Sequence, residues 1–352
     1  TLIDTVEEEF YDTMMERIRS VIGERTIDNV IVQHAEPDHS GGFLKFMKDY
    51  PNARPYASNA GVGIMLKQYF KSYDFQRVKT GDTLSTGRYT LTFVEMPMIH
   101  WPDNMLTYVA EQKIVFSNDA FGQHIASYDI FDDAHGAAKC IDRAKDYYAN
   151  IVMPYGMQVA NKLKQIQDMN LDIDMIAPAH GIIWRSYLPE LFQAYEDFAT
   201  FKAVDKAVIV YESVWKHTQM MAEALAEGMG RNGICVKIFK CSMTSPAIIQ
   251  KELLDAKAVL VGSGNYNNAM AGSIAAFLEK LITCKVKNKK GLGFGSYGWA
   301  NLVTKEINAR LGKAGITLLN DEVVSQNYTP SEADLDALME LGKQIAEEIK
   351  AM

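Results

Sequence analysis

Two regimes of hydrophobic and polar spacing run along the chain. Residues 6–22 are acidic first and then apolar at helical intervals (Val6, Phe10, Met14, Ile18), which predicts a helix whose negative charge sits at its favourable end. The apolar run within 29–33 predicts a strand, residues 54–58 a second strand and 60–70 a helix. Residues 89–96 alternate as a strand should, and 106–117 read as a hairpin turning near Glu111-Gln112. Helices are predicted over 137–149 and 157–169, and a short strand over 173–178. From residue 203 onward strands and helices alternate tightly. Strands are predicted at 207–212, 235–240, 258–263, 290–295 and 315–319, with helices at 219–231, 246–254, 272–283, 302–313 and 331–350. That alternation predicts a doubly wound parallel sheet with ligands at the C-terminal strand ends. The expectation is therefore two α/β domains, 1–202 and 203–352, joined by a helix around 188–202.

Composition narrows the class. The chain has 352 residues and a net charge of −8 with no basic tract, which argues against nucleic acid as a partner. No apolar run reaches the roughly 20 residues that a membrane span needs. Cys140, Cys235, Cys241 and Cys284 are scattered without a Cys-x-x-Cys pair, so neither a zinc ribbon nor an iron–sulfur site is expected, and a reducing, cytoplasmic setting is. Thr1-Leu2-Ile3-Asp4-Thr5 reads as the end of a buried strand, which suggests that a segment precedes it.

The first candidate chemistry is His34-Ala35-Glu36-Pro37-Asp38-His39, directly after the apolar strand. His34, Glu36 and Asp38 alternate, so a continuing extended backbone would turn all three the same way, and Ser40-Gly41-Gly42 then lets the chain turn. His100, Asp119 and His180 also stand just past predicted strand ends, where a layered α/β domain assembles a site from distant segments. Four imidazoles and three carboxylates are too many for one ion and suit two, and the oxygen ligands favour iron or manganese over zinc. Three carboxylates offset most of the charge of two divalent ions, and the ions keep those carboxylates ionised. His124, His135 and His217 have no such context and read first as packed or surface histidines.

The second candidate lies at the C-terminal ends of the later strands. Ser213-Val214-Trp215-Lys216-His217-Thr218 precedes a helix and offers hydroxyls, amides and a helix N-terminus to an anion; the plain alternative is an N-cap by Thr218. This loop carries no Gly-x-Gly-x-x-Gly, which argues against a dinucleotide. Ser263-Gly264-Asn265-Tyr266-Asn267-Asn268 and Ser296-Tyr297-Gly298-Trp299 follow two further strands and offer amides and aromatics to a flat ring.

The segment His34-Ala-Glu36-Pro-Asp38-His39-Ser-Gly resembles the metallo-β-lactamase motif in its flavodiiron form, in which Glu replaces the usual second His. Ile99-His100-Trp101-Pro102-Asp103-Asn104-Met105, Ser117-Asn118-Asp119-Ala-Phe-Gly122 and Pro178-Ala-His180-Gly181 are similar to that family's later ligand segments, in the same order. The resemblance implies a metallo-β-lactamase-like αββα sandwich with a truncated start, followed by a flavodoxin-like domain. It implies two irons per chain, with His34, Glu36 and His100 on one, Asp38, His39 and His180 on the other, and Asp119 bridging. It implies FMN, its phosphate in the first loop and its isoalloxazine clasped by the other two. It further implies reduction of O2 to water or of NO to N2O, and a head-to-tail homodimer or dimer of dimers. Gly264-Asn265-Tyr266 and Ala300-Asn301-Leu302 depart from the common pattern and look more like the branch fed by reduced F420 than the one fed by rubredoxin. Two rival readings stand beside this one: a binuclear hydrolase with a flavodoxin-like regulatory module, and an electron carrier with a structural metal domain.

Overall fold

The computed structural model describes residues 1–320 and 322–352. The chain forms two compact units. One comprises Thr1–Tyr147 with Met157–Glu196, the other Tyr148–Gly156 with Asp197–Met352. The expected division at 202/203 was contiguous; here the short segment 148–156 belongs with the later residues. Its π-helical turn Tyr148–Val152 packs on the helix Pro246–Leu254, and Gln250 of that helix donates to the Ala149 carbonyl at 2.6 Å. Such pairing, a hundred residues apart in sequence, leaves no local signal.

The first unit is built on two sheets. The strands Leu2–Ile3, Asn29–Val32, Arg54–Ser58 and Gln76–Val78 are parallel in that order. The second sheet runs Thr83–Ser85, Thr90–Glu95, Met105–Val109, Ile114–Asn118 and Met175–Pro178, antiparallel until its last, parallel pair. Ile31 and Val78 of one sheet join Leu91, Phe93, Met105 and Val109 of the other in a common core. Val30 and Val32 point the opposite way, into a cluster with Tyr11, Met15, Phe43 and Phe46 of the flanking helices. A strand buried on both faces must be apolar without interruption, which is why Val30-Ile31-Val32 shows no alternation. The strands at 76–78 and 83–85 escape sequence analysis because they are three residues long and largely polar.

The second unit is a parallel sheet in the order Cys235–Lys240, Val204–Glu212, Ala256–Gly264, Lys290–Tyr297, Thr317–Leu318. The fifth strand was expected over 315–319. It is instead two short pieces, Thr317–Leu318 and Val324–Asn327, both paired with Lys290–Tyr297. On one face Ala207, Ile209, Tyr211, Leu260 and Phe294 bury against the helices His217–Arg231 and Glu332–Lys350. Those helices cross closely because two glycines meet at the crossing. A Cβ on Gly228 would lie 2.0 Å from the Met339 carbonyl oxygen, and one on Gly342 2.4 Å from that of Leu225. The last helix begins with a capping box, in which Ser331 and Asp334 satisfy each other's free backbone N–H groups. No helix among the described residues is long and apolar enough to cross a membrane.

Candidate dinuclear metal centre and flavin loops

The metal-ligating side chains reach one place because the first loop bends. His34 follows the strand, and Glu36 keeps an extended backbone at φ −60° and ψ 143°. Pro37, with its fixed φ, then opens a helical turn, Pro37–Ser40. The expected continuous alternation is therefore corrected. His34 and Glu36 belong to one donor group and Asp38 and His39 to another, because the turn redirects the second pair. The turn is held from outside by Thr5, whose N–H and hydroxyl both donate to the His39 carbonyl, at 2.7 and 2.9 Å.

Two donor groups result. In the first, the Nε2 atoms of His34 and His100 each lie 3.1 Å from Glu36 Oε2 and 3.5 Å from Asp119 Oδ2. In the second, the Nε2 atoms of His39 and His180 lie 3.4 and 3.3 Å from Asp38 Oδ2, and 3.1 and 3.2 Å from Asp119 Oδ1. Each group keeps its donor atoms within 4.8 Å of one another. Adjacent ligands about 2.1 Å from an ion stand about 3.0 to 3.4 Å apart, so both groups fit one ion each. Asp119 faces each group with one oxygen and is 2% exposed. Asp119 Oδ2, His39 Nε2 and Asp38 Oδ1 are buried without a hydrogen-bond partner, an arrangement that costs free energy unless a cation satisfies it.

The electrostatics follow from this crowding. Burial by itself would raise the Asp119 carboxyl, but the close imidazoles of His100, His180 and His39 outweigh it and hold it far below the usual carboxylate range. Hydrogen bonds to Asp119 and Asp38 push His180 up to about 10. Burial would lower His34 and His39, yet Asp103 and Asp119 respectively carry them above the ordinary histidine value. Cations are favoured at these positions, and because ligands must be deprotonated to bind, metal uptake there releases protons.

Several supporting residues are not singled out by the sequence, although Trp101, Asp103 and Asn118 lie within the segments that carry the family resemblance. Asp103, 1% exposed, places its Oδ2 3.2 Å from His34 Nδ1 and accepts from the Ala35 N–H at 2.6 Å. A proton on His34 Nδ1 directed at Asp103 leaves the Nε2 lone pair free for a metal. Tyr147 donates to Asp119 Oδ1 at 3.2 Å, and burial holds its phenol well above the ordinary tyrosine value. Asn118, at φ 57°, donates to buried Asp4 at 2.9 Å beside His39. The Trp101 ring meets His34 edge-on at 5.1 Å and shields that side. Of the three histidines outside the groups, His124 packs on the Tyr147 ring, His135 bonds the Asp129 carbonyl, and His217 faces the Thr329 hydroxyl.

In the second unit all three candidate loops sit at C-terminal strand ends. Thr218 does not cap its helix. Lys216, at φ 69°, holds the N-cap position with no side-chain bond, and the Thr218 hydroxyl lies 2.8 Å from the Ser296 hydroxyl. The first-turn N–H groups are thereby left for an anion. Asn265 donates its backbone N–H to the Ser296 carbonyl at 3.0 Å, and its Oδ1 is buried without a partner. Asn267 and Asn268 take positive φ in the turn that Tyr266 and Ala269 close. Trp215 and Trp299 are 80% and 90% exposed and Val214 60%. Ser213, Gly264, Tyr297 and Gly298 complete these loops. A Gly-x-Gly-x-x-Gly spacing does occur, at Gly293–Gly298, but Gly293 and Gly295 lie within the strand rather than in a phosphate turn. A Cβ on Gly293 would meet Asn308 Oδ1 at 2.5 Å, so packing accounts for that glycine.

A β-lactamase-type sandwich with two donor groups, together with a flavodoxin-type sheet, defines a two-domain metallo-flavoprotein. Residues 1–181 match the family described as ODP family beta lactamase, and residues 209–342 match the flavodoxin family. The chain is 40% identical over 350 residues to a nitric oxide reductase of Moorella thermoacetica, covering 99% of this chain and 88% of that protein. It is 35% identical over 349 residues to an anaerobic nitric oxide reductase flavorubredoxin of Vibrio vulnificus, covering 98% of this chain and 70% of that one. Among solved structures it superimposes on rubredoxin oxygen:oxidoreductase of Desulfovibrio gigas with a TM-score of 0.96 at 34% identity, over 99% of this chain and 88% of that one. The flavodiiron protein of Giardia intestinalis gives 0.95 at 26% identity, over 99% and 86%. The chain belongs to the flavodiiron protein family and is an oxidoreductase.

Proposed function

We propose that the protein reduces NO to N2O, O2 to water, or both, at a non-haem diiron centre fed by FMN. The observation that carries this reading is Asp119, whose two carboxylate oxygens face two separate histidine pairs. In this reading His34, Glu36 and His100 hold one iron, Asp38, His39 and His180 the other, and Asp119 bridges them. Bound there, the irons supply two electrons and open positions for a diatomic ligand, and fully reduced FMN supplies two electrons more. The chain's own residues keep that centre in order. Asp103 fixes the His34 tautomer, Trp101 excludes water from one side, and Tyr147 keeps its proton and holds Asp119 in place. The Ser213–Thr218 loop takes the FMN phosphate, with Val214, Trp215, Lys216 and His217 around it. The loops 263–268 and 296–299 clasp the ring.

The domains that carry these roles are 1–202 for iron and 203–352 for FMN. The electron donor is reduced rubredoxin or reduced F420; the names of relatives point to the first, the departures at 264–266 and 300–302 to the second. The protein works in the cytoplasm as a head-to-tail homodimer or a dimer of such dimers, one subunit's flavin serving its partner's irons. The test is anaerobic NO consumption and aerobic O2 uptake by iron- and FMN-loaded protein with each donor. Catalytic loss of either gas supports the reading. A zinc-loaded protein that hydrolyses esters or lactams, and consumes neither gas, favours the binuclear hydrolase instead.

A further inference from the structure

The second unit holds a cavity of about 280 Å³ away from the flavin loops, between the helices Pro246–Leu254 and Gly272–Thr283 and closed by Met153. Ile249, Leu253, Phe277 and Leu281 make most of its wall apolar. Two thiols also line it, and neither brings charge: burial pushes Cys284 up to about 11, and burial likewise raises Cys241, whose Sγ donates to the Ser273 carbonyl. One wall residue breaks the pattern. Gln250 is 5% exposed and its Nε2 donates to the Ala149 carbonyl at 2.6 Å, which fixes the orientation of the amide. Its Oε1 is then an acceptor, buried and without a partner. Native proteins seldom leave such an atom unpaired, because the lost hydration is not returned.

We propose that this cavity is a binding site for a small uncharged ring compound carrying one N–H or O–H donor, with the ring against the apolar wall and the donor on Gln250 Oε1. The volume lies near the lower end of the roughly 300–1,000 Å³ typical of ligand pockets, which limits the occupant to one or two fused rings. Lys280 is the one charged side chain that lines the cavity, and it is exposed to solvent; the buried wall offers a single unpaired acceptor and no charge, so a second polar group placed against it would find no partner. The site is independent of the redox reading, since it shares no residue with the metal groups or the flavin loops.

The test uses indole and benzofuran, which have nearly the same shape but differ in the N–H, titrated calorimetrically into the FMN-loaded protein. Indole is expected to bind at one site per chain, about tenfold tighter than benzofuran, the worth of one buried hydrogen bond. Gln250→Met should equalise the two probes. Ala276→Trp, at an exposed position on the cavity wall, should abolish both, with flavin content reporting intact folding. If Gln250→Met does not fold, the probe pair and Ala276→Trp decide alone. Equal affinity for both probes in the native protein, unchanged binding in Ala276→Trp, or a cavity that takes water only would each overturn the proposal.

Discussion

Asp103 offers a graded test of how the first donor group is held. Its Oδ2 accepts from both His34 and the Ala35 N–H, while its Oδ1 is buried without a partner. In Asp103→Asn the amide oxygen can take the place of Oδ2 and the amide nitrogen that of the unpaired Oδ1. Both hydrogen bonds then survive, but they lose their charge. A bond to a charged group contributes about 1.5–3 kcal/mol and a neutral one about 0.5–1.5, so the bond to His34 weakens by about 1 kcal/mol or slightly more. Iron at the first position should therefore bind about tenfold more weakly, at the mild end of what loss of such an outer partner costs a metal site. Asp103→Leu removes the acceptor altogether, frees the imidazole to take the wrong tautomer, and should cost about 100-fold. The assay is anaerobic competition for ferrous iron against a chelator of known affinity, with FMN content confirming that the second unit is intact. An Asp103→Leu protein that keeps native iron affinity would refute the tautomer argument, and so would an Asn variant weaker than the Leu variant.

Four further predictions can be checked separately. His100→Ala or Asp119→Ala should abolish gas reduction while FMN stays bound, and full turnover by either purified variant would sink the assignment of the ligands. Thr218→Ala removes the contact with Ser296 and should weaken FMN retention by roughly 2- to 10-fold, the worth of one hydrogen bond; unchanged flavin affinity counts against the phosphate-loop reading. Gly342→Ala drives a methyl group into the Leu225 carbonyl and should destabilise the second unit by about 1–3 kcal/mol, read from chemical denaturation followed by flavin release. Lys206 is buried, which would lower its amine, but hydrogen bonds to Asp255 and Glu252 hold it above the ordinary lysine value. A raised pKa in the folded state stabilises fully below the unfolded value of about 10.4 and is lost as pH rises through the folded value. Lys206→Met should therefore lose stability relative to the native protein at pH 7, and the gap should narrow above about pH 10.4; a gap that widened with alkali would reverse the sign.

The metal-binding groups were legible because ligand chemistry is dense in sequence: four capable side chains lie within 34–39, and His100, Asp119 and His180 each follow an apolar strand. The division of the 34–39 motif into two groups came only from the family resemblance; the spacing alone suggested one continuous face, because the division depends on the helical turn that Pro37 starts. Asp103, Tyr147, Asn118 and Asp4 look like any polar residue until the fold brings them to His34, Asp119 and His39. The doubly wound sheet could be read from its long apolar strands, including the piece 317–318 inside the expected 315–319, whereas 324–327 is too short and too polar to announce itself. The association of 148–156 with Gln250 and its helix depends on contacts between residues far apart in the chain, which no local periodicity encodes.

The central claim is that Asp119 joins two irons into one centre. Metal and flavin analysis of anaerobically purified protein, with a Mössbauer spectrum of the iron in low and high applied field, tests it most directly. The account predicts two irons and one FMN per chain, with the irons magnetically coupled in the native protein and uncoupled or missing in Asp119→Ala. Two zincs without flavin, or two irons that show no coupling, would contradict it.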